Sequence, residues 1–400
     1  MKILIVVPRL PHPLERADGM TVYWMMKFLA PRHDIHLACF YNNEKQLEFL
    51  PELRKYCKSI ELVRLKKWKA FLNMLRTIFR RDIPLQVAYY RDAEMDRAVE
   101  RLMEEHQPDL AYSQLIRVGE YVAHQPSVKK ILAMQVAQTL NYRRMIGNVR
   151  SPFYKILYTV EYEKVRRYEP AITRDFDSCL LISKHDKESL DGHENIHNIF
   201  YCPHGIDVAY YTPTRSAEKE TAIVFSGIME VPTNHDMVSY FLEDIYPIIK
   251  KRVPDVKFYI IGKNPAESIR RIAEKDPSIT VTGFVDDMRT YYERAKVGID
   301  PLRIGAGMQN KLITGMCMGV PMVCSSIANE GIGAEHGKNV LIADDPESFA
   351  DAVVELLTDS EKARTIAEQA REFVEKYWTW EYHFERFENH MESVVHGTQD

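Results

Sequence analysis

Residues 301–323 read PLRIGAGMQNKLITGMCMGVPMV. The apolar run from Val297 to Leu302 predicts a strand that ends in Arg303. Gly305 and Gly307 then predict a turn, and the small-residue stretch from Asn310 to Gly319, closed by Pro321, predicts a helix. A strand, a glycine-bearing turn and a helix N-terminus suit a phosphate group. Glycine lets the backbone approach closely, free N–H groups point outward, and the helix dipole favours an anion. Arg303 and Lys311 add two cations. Taken alone, the same pattern describes an ordinary strand-to-helix connection with two solvated bases, so the flanking sequence has to decide.

Upstream and downstream of this stretch the pattern alternates. Strands are predicted at 222–225, 257–261, 279–282, 297–302, 322–325 and 339–343, with helices at 235–250, 265–275, 287–295, 310–319 and 346–358. Such βα alternation predicts a doubly wound parallel sheet, whose ligands bind beyond the carboxyl ends of the strands. Ser226-Gly227, Gly262-Lys263, Gly283-Phe284-Val285 and Arg303 all fall at such ends. The N-terminal half repeats the pattern. Lys2 to Val7 reads as a central strand, Met20 to Leu29 as a helix after a loop that includes Gly19, and Ile35 to Phe40 as a second strand. Further strands are predicted at 109–113 and 131–136, helices at 92–106, 115–125 and 152–174, and a strand and helix at 177–190. No GxGxxG follows the first strand, which argues against a dinucleotide cofactor. The Pro- and Gly-bearing stretch YCPHGIDVAYYTP (201–213) marks a domain boundary.

Composition agrees with two soluble domains. The chain has 400 residues, 46% hydrophobic and 28% charged, with a formal net charge of -4. That balance gives no global pull toward nucleic acid, so anion binding must be local. Six scattered cysteines without CxxC or metal spacing predict buried thiols in a reducing cytoplasm. MKILIVVPRL reads as a buried strand rather than a signal peptide, and no stretch has the length of a membrane span.

The 301–323 stretch resembles the donor-binding signature of the family-4 retaining glycosyltransferases of GT-B fold, and within them the sugar transferases of bacterial exopolysaccharide clusters. The resemblance extends through IVFSGIMEVPTNHDMVSYF (223–241), VPDVKFYIIGKNP (253–265), ITVTGFVDDMRTYY (279–292), PMVCSSIANEGI (321–332) and ADDPESFADAV (343–353). It implies two Rossmann-like domains facing across a cleft: an acceptor-side domain at 1–204, a nucleotide-sugar domain at 205–378, and a helix at 379–400 that returns to the first domain. It also implies a retaining, metal-independent transfer from a UDP- or GDP-linked sugar to a glycan or lipid-linked acceptor, without a cofactor. Arg303 and Lys311 would neutralise the pyrophosphate. Gly227, Gly283, Phe284, Val285, Gly305, Gly307, Met308, Gln309, Asn310, Leu312 and Thr314 would bind the donor, together with Gly19 in the first loop. The departing phosphate would itself take the acceptor proton.

The chain departs from the family's pattern in two places. The acidic residue expected to grip the ribose falls at Thr314, and the first acidic position falls at Ala306. Another acid such as Glu330, in the NEGI stretch, would then hold the ribose. No histidine closes the strands at 113–115 or 134–138, which leaves Gln135, Gln138 and His12 as acceptor-side candidates. These losses also fit a non-catalytic partner of an active transferase. A nucleotide-sugar epimerase would share the architecture but needs catalytic acids in the cleft loops, and none is evident.

Three further stretches have a reading. KKWKAFLNMLRTIFRR (66–81) places Trp68, Phe71, Leu72, Leu75, Ile78 and Phe79 on one helical stripe among bases that include Lys66, Lys67, Arg80 and Arg81, with no acid. Such a helix suits an anionic membrane surface, while the plainer reading packs its stripe on the domain. DFD (175–177) reads as a helix end and strand start, not a metal site. The aromatics of the last helix, Tyr377, Trp378, Trp380, Tyr382, Phe384 and Phe387, read as packing.

Overall fold

The computed structural model describes residues 1–13, 17–148, 152–190, 198–214, 218–303 and 308–397. The chain forms two compact units, Met1–His204 with His383–Asp400, and Gly205–Tyr382. Both are doubly wound, and the fold is that of two Rossmann-like domains.

The first unit is built on seven parallel strands: β1 Lys2–Val7, β2 Asp34–Tyr41, β3 Ser59–Arg64, β4 Leu110–Gln114, β5 Lys129–Gln135, β6 Ser178–Leu181 and β7 Ile199–Tyr201, in the order 3-2-1-4-5-6-7. After Lys2, β1 is a continuous Ile, Leu and Val run because helices cover both faces of the sheet. β1, β4 and β5 have almost no exposed side chain, whereas β3, at the edge, is half-buried and keeps Glu61 and Arg64. Gly19 lies in the first turn of the Ala17–Leu29 helix and not in the preceding loop. Asp18 pairs with Arg9 at 3.2 Å and its carbonyl accepts from Gln114 Nε2, which holds the helix start against β4. A Cβ at Gly19 would meet Pro11 at an ordinary 3.5 Å, so sterics do not demand glycine there. The end of the chain joins this unit: Phe384 and Phe387 are buried, Glu388 accepts from Arg32 and faces His33, and His390 stacks on Phe200.

The second unit holds six parallel strands, β8 Glu220–Ser226, β9 Lys257–Ile261, β10 Ile279–Gly283, β11 Ala295–Asp300, β12 Met322–Cys324 and β13 Leu341–Ile342, in the order 10-9-8-11-12-13. The order reverses between β8 and β11, and such a switch point is where a doubly wound sheet opens a ligand crevice. The region expected as one helix at 235–250 is instead an α-helix over Pro232–Tyr240, a wide π turn over Phe241–Ile245 and a helix over Tyr246–Arg252. Pro247 has no N–H to give the preceding turn, and the wide turn absorbs that loss. Trp378 and Trp380 are buried as expected, but Tyr377, at the end of the Ser360–Tyr377 helix, is exposed. All six cysteines are buried and free. No described helix is long and apolar enough to cross a membrane.

Candidate functional site

The carboxyl ends of β8, β9 and β10 are tied together beyond the strands themselves. Gly227 N–H donates to Ile261 O at 2.9 Å, Met229 N–H to Lys263 O at 3.1 Å, and Gly262 N–H to Gly283 O at 3.2 Å. Gly262 has φ +155°, and an added Cβ would lie 1.7 Å from the Gly227 carbonyl oxygen. Gly283 sits in the left-handed region at φ +69°, which turns the chain so that Phe284 stands in solvent and Val285 is half-buried. Gly227, Gly283, Phe284 and Val285, expected to bind the donor, therefore lie along one rim at the carboxyl ends of β8 and β10.

On the other side of the switch, β11 ends at Asp300 and leads through buried Pro301 and Leu302 to exposed Arg303. Ser325 Oγ donates to Leu302 O at 2.6 Å, and its N–H to Asp300 O at 3.1 Å, so this exit is anchored to β12. Gly305, Ala306 and Gly307 lie outside the described residues. The helix Asn310–Cys317 starts after Gln309 without a side-chain cap, which leaves the Asn310 and Lys311 N–H groups without a partner among the described residues. Met308 is half-buried, and Leu312 and Thr314 are buried in the helix.

Both expected cations have counter-ions that the sequence reading missed. Arg303 donates twice to Asp236, Nη2 to Oδ1 at 2.6 Å and Nε to Oδ2 at 3.2 Å, and lies over the Tyr240 ring at 4.2 Å. Hydrogen bonding to Asp236 raises the Arg303 pKa further. Lys311 Nζ donates to Gln309 Oε1 at 2.8 Å, stands 3.7 Å from Asp300 Oδ1 and lies 5.6 Å from the Phe225 ring centre. Asp300 is fully buried, and neither carboxylate oxygen has a hydrogen bond among the described residues. Burial raises its pKa, and the nearby lysine opposes the shift. The signal for Asp300 was present, since a carboxylate in an otherwise apolar central strand needs a partner. Asp236 had no comparable signal, because it reads as one polar residue of a helix's outer face.

The first-unit candidates are less closely gathered. Gln135 ends β5 at φ 65°, with its amide nitrogen buried and without a hydrogen bond among the described residues, beside a small cavity lined by Thr21, Tyr112 and Phe387. Gln138 is buried at the start of the next helix, where its N–H donates to Glu169 at 2.6 Å. His12 packs between Tyr23 and Phe49, with ring centres 5.3 and 5.2 Å away. In the DFD stretch, Asp177 accepts from Lys130 N–H and Lys129 Nζ, both at 2.8 Å, which pins the start of β5. Glu330 is exposed at the end of its helix.

Comparison with known proteins places the second unit. Residues 220–359 match the family model described as Glycosyl transferases group 1. Over 393 residues the chain is 24% identical to an "Uncharacterized 44.6 kDa protein in cps region" of Klebsiella pneumoniae, covering 94% of this chain and 96% of that one. It is 26% identical over 206 residues to a GDP-mannose-dependent alpha-(1-6)-phosphatidylinositol monomannoside mannosyltransferase of Mycobacterium tuberculosis, covering 45% of this chain and 52% of that one. Among solved structures, TarM matches with a TM-score of 0.71 at 11% identity over 98% of each chain. Anabaena HepE in complex with UDP and glucose matches with a TM-score of 0.62 at 12% identity, covering 98% of this chain and all of that one.

Proposed function

We propose that this chain, which belongs to the glycosyltransferases of GT-B fold, moves a hexose from a UDP- or GDP-linked donor to a glycan or lipid-linked acceptor during surface polysaccharide or glycoconjugate synthesis, with retention at the anomeric carbon. The observation that carries the reading is the placement of Arg303 and Lys311. One follows the end of β11 and the other opens the next helix, beside the switch point of the second sheet and inside the matched 220–359 region. The family's working context supports the rest. One relative is named for a cps region, another is named as GDP-mannose-dependent, and a structural neighbour is in complex with UDP and glucose.

The chemistry follows from charge. Transfer breaks the bond between the anomeric carbon and the diphosphate and forms one to the acceptor oxygen on the same face. The acceptor's proton passes to the departing phosphate. Negative charge grows on the diphosphate as that bond breaks, and fixed cations aimed there stabilise the transition state without a divalent metal. Arg303 would exchange Asp236 for a phosphate oxygen, so the guanidinium stays paired before and after the donor arrives.

The reading is tested by calorimetry against UDP, GDP, ADP, TDP and CMP, each also with its common sugars. One nucleoside diphosphate is expected to bind selectively, and Arg303→Ala to weaken it at least tenfold while leaving thermal stability close to wild type, since the Arg303–Asp236 pair is exposed. If none binds, the chain is the non-catalytic partner of an active transferase. Thr314 offers a second test. A hydroxyl cannot make the charge-assisted pair that a carboxylate makes to two ribose hydroxyls. Thr314→Glu is therefore expected to tighten nucleoside diphosphate binding by about tenfold. An affinity that stays level or falls would locate the ribose contact elsewhere, with Glu330 the next residue to substitute.

A further inference from the structure

Two helical segments of the first unit turn large apolar side chains toward solvent. Around the helix Lys67–Thr77, Trp68 is 63% exposed and Phe79, just past the C-terminus, 93%, with Leu72 and Leu75 exposed between them. On the helix Pro152–Thr173, Phe153 is 71% and Ile156 67% exposed, with Leu157 and Val160 beside them. Of the first helix, only Ala70 and Thr77 are buried, so its stripe does not pack on the domain. Isolated exposed apolar residues are ordinary on a monomer, but two runs of them on adjoining helices are not.

The runs meet at Lys164. Residues 153, 157, 160 and 164 fall at helical spacing on one face. At the inner end of that face, Lys164 Nζ donates to Thr77 O at 2.8 Å, to Ile83 O at 3.4 Å and to Arg80 O. One turn earlier, Glu161 accepts from the N–H groups of Leu85 and Gln86 at 2.8 and 3.1 Å, which fixes the rotation of the helix. The second stripe thus runs outward from the point where the first helix ends; at 1.5 Å per residue the first stripe is roughly 16 Å long and the second, from Phe153 to Val160, roughly 10 Å.

The charge carried by these segments themselves is of one sign. Residues 66–81 contain six bases and no acid, and 138–148 with 152–160 contain Arg143, Arg144 and Lys155 and no acid, in a chain of net charge -4. Lys66 pairs with Glu94, Arg80 with Asp82 and Arg144 with Asp186, but Lys67, Arg76, Arg81, Arg143 and Lys155 form no ion pair among the described residues. A symmetric dimer through this face would set the bases against their own copies. An apolar stripe with uncompensated bases matches the boundary between acyl chains and phosphate headgroups.

We propose that these two helices together seat the chain on an anionic lipid bilayer, with Phe153 and Ile156 sharing the apolar anchor with Trp68 and Phe79. The proposal deepens the lipid-linked acceptor part of the reading above and rests on it for its purpose. Its test uses neither donor nor acceptor, so failure here leaves the transfer reading standing. Full-length protein is sedimented with phosphatidylcholine vesicles with and without phosphatidylglycerol. Binding is expected only with phosphatidylglycerol, together with a blue shift in the emission of Trp68. Phe153→Ser with Ile156→Ser is expected to weaken partition about tenfold although every base remains. Lys67→Ser with Arg76→Ser and Arg81→Ser is expected to abolish the phosphatidylglycerol dependence. Nucleoside diphosphate affinity should stay at the wild-type value in all of these variants. The proposal is overturned if the protein does not bind anionic vesicles, or if the Phe153/Ile156 variant partitions like wild type. It is also overturned if sedimentation velocity shows a dimer that the same substitutions dissolve, since the face would then serve a second copy.

Discussion

Lys311→Ala is expected to reduce sugar transfer by two to three orders of magnitude and, separately, to make the fold less stable at neutral pH than at pH 5. The first effect is that of removing one preorganised charge from a site where charge develops, about 2.7–4 kcal/mol. The second comes from Asp300, which is fully buried, 3.7 Å from Lys311 Nζ, and without a hydrogen bond to either oxygen among the described residues. Removing one member of a buried pair leaves the other charge uncompensated, at about 3–5 kcal/mol. Asp300 can avoid that penalty by taking up a proton. Burial already raises its pKa and Lys311 pulls the other way, so the variant's folded-state pKa must lie higher still. A carboxyl whose folded pKa exceeds its unfolded value binds more protons folded than unfolded. Its stabilisation is complete below the unfolded pKa and is lost as pH rises through the folded one. The stability deficit of Lys311→Ala should therefore be small at pH 5 and larger at pH 8 by thermal denaturation. Asp300→Asn combined with Lys311→Ala should recover the stability but not the transfer. Equal deficits at the two pH values would mean that Asp300 is held by something other than this lysine. Near wild-type transfer would remove Lys311 from the pyrophosphate.

The contrast between Lys311 and Asp300 shows what was legible before the structure. β9 and the helix Pro346–Thr358 have the boundaries their periodicity predicts, because a continuous apolar run and an acid-capped amphipathic run are local signals. β3 was missed because an edge strand alternates apolar and charged residues over only six positions, and β7 because it has three. The places of Arg303 after a strand and Lys311 at a helix start were legible because strand and helix follow one another in sequence. Their counter-ions were not, since Asp236 lies 67 residues from Arg303 and Asp300 was absorbed into an apolar run. The stripe at 66–81 had the same limit from the other side. Periodicity gives a face, but whether that face meets a core or solvent is decided by residues elsewhere in the chain, such as Lys164 and Glu161.

Gly262→Ala is expected to be the most destabilising single methyl in the second unit, by about 3 kcal/mol or more, and to abolish nucleotide binding with it. The new Cβ would lie 1.7 Å from the Gly227 carbonyl oxygen, and that oxygen is backbone. It cannot rotate aside as a side chain would. Moving it shifts Gly227, whose N–H donates to Ile261 O, and Met229, whose N–H donates to Lys263 O, so both links between β8 and β9 must distort. Gly262 itself donates to Gly283 O, which carries the disturbance to the turn that presents Phe284 and Val285. Two other glycines calibrate the claim. At Gly315 an added Cβ would lie 2.1 Å from Met322 Sδ, but that thioether belongs to a flexible side chain, so Gly315→Ala should cost less. At Gly147, on an exposed helical turn, nothing among the described residues lies within 4 Å, and Gly147→Ala should be neutral or stabilising. Thermal denaturation of the three variants should rank them in that order, and calorimetry should find nucleotide affinity lost only in Gly262→Ala. If Gly262→Ala melts with the wild type and still binds, the ends of β8, β9 and β10 have slack, and the Gly283–Val285 rim does not depend on the contact at Gly227.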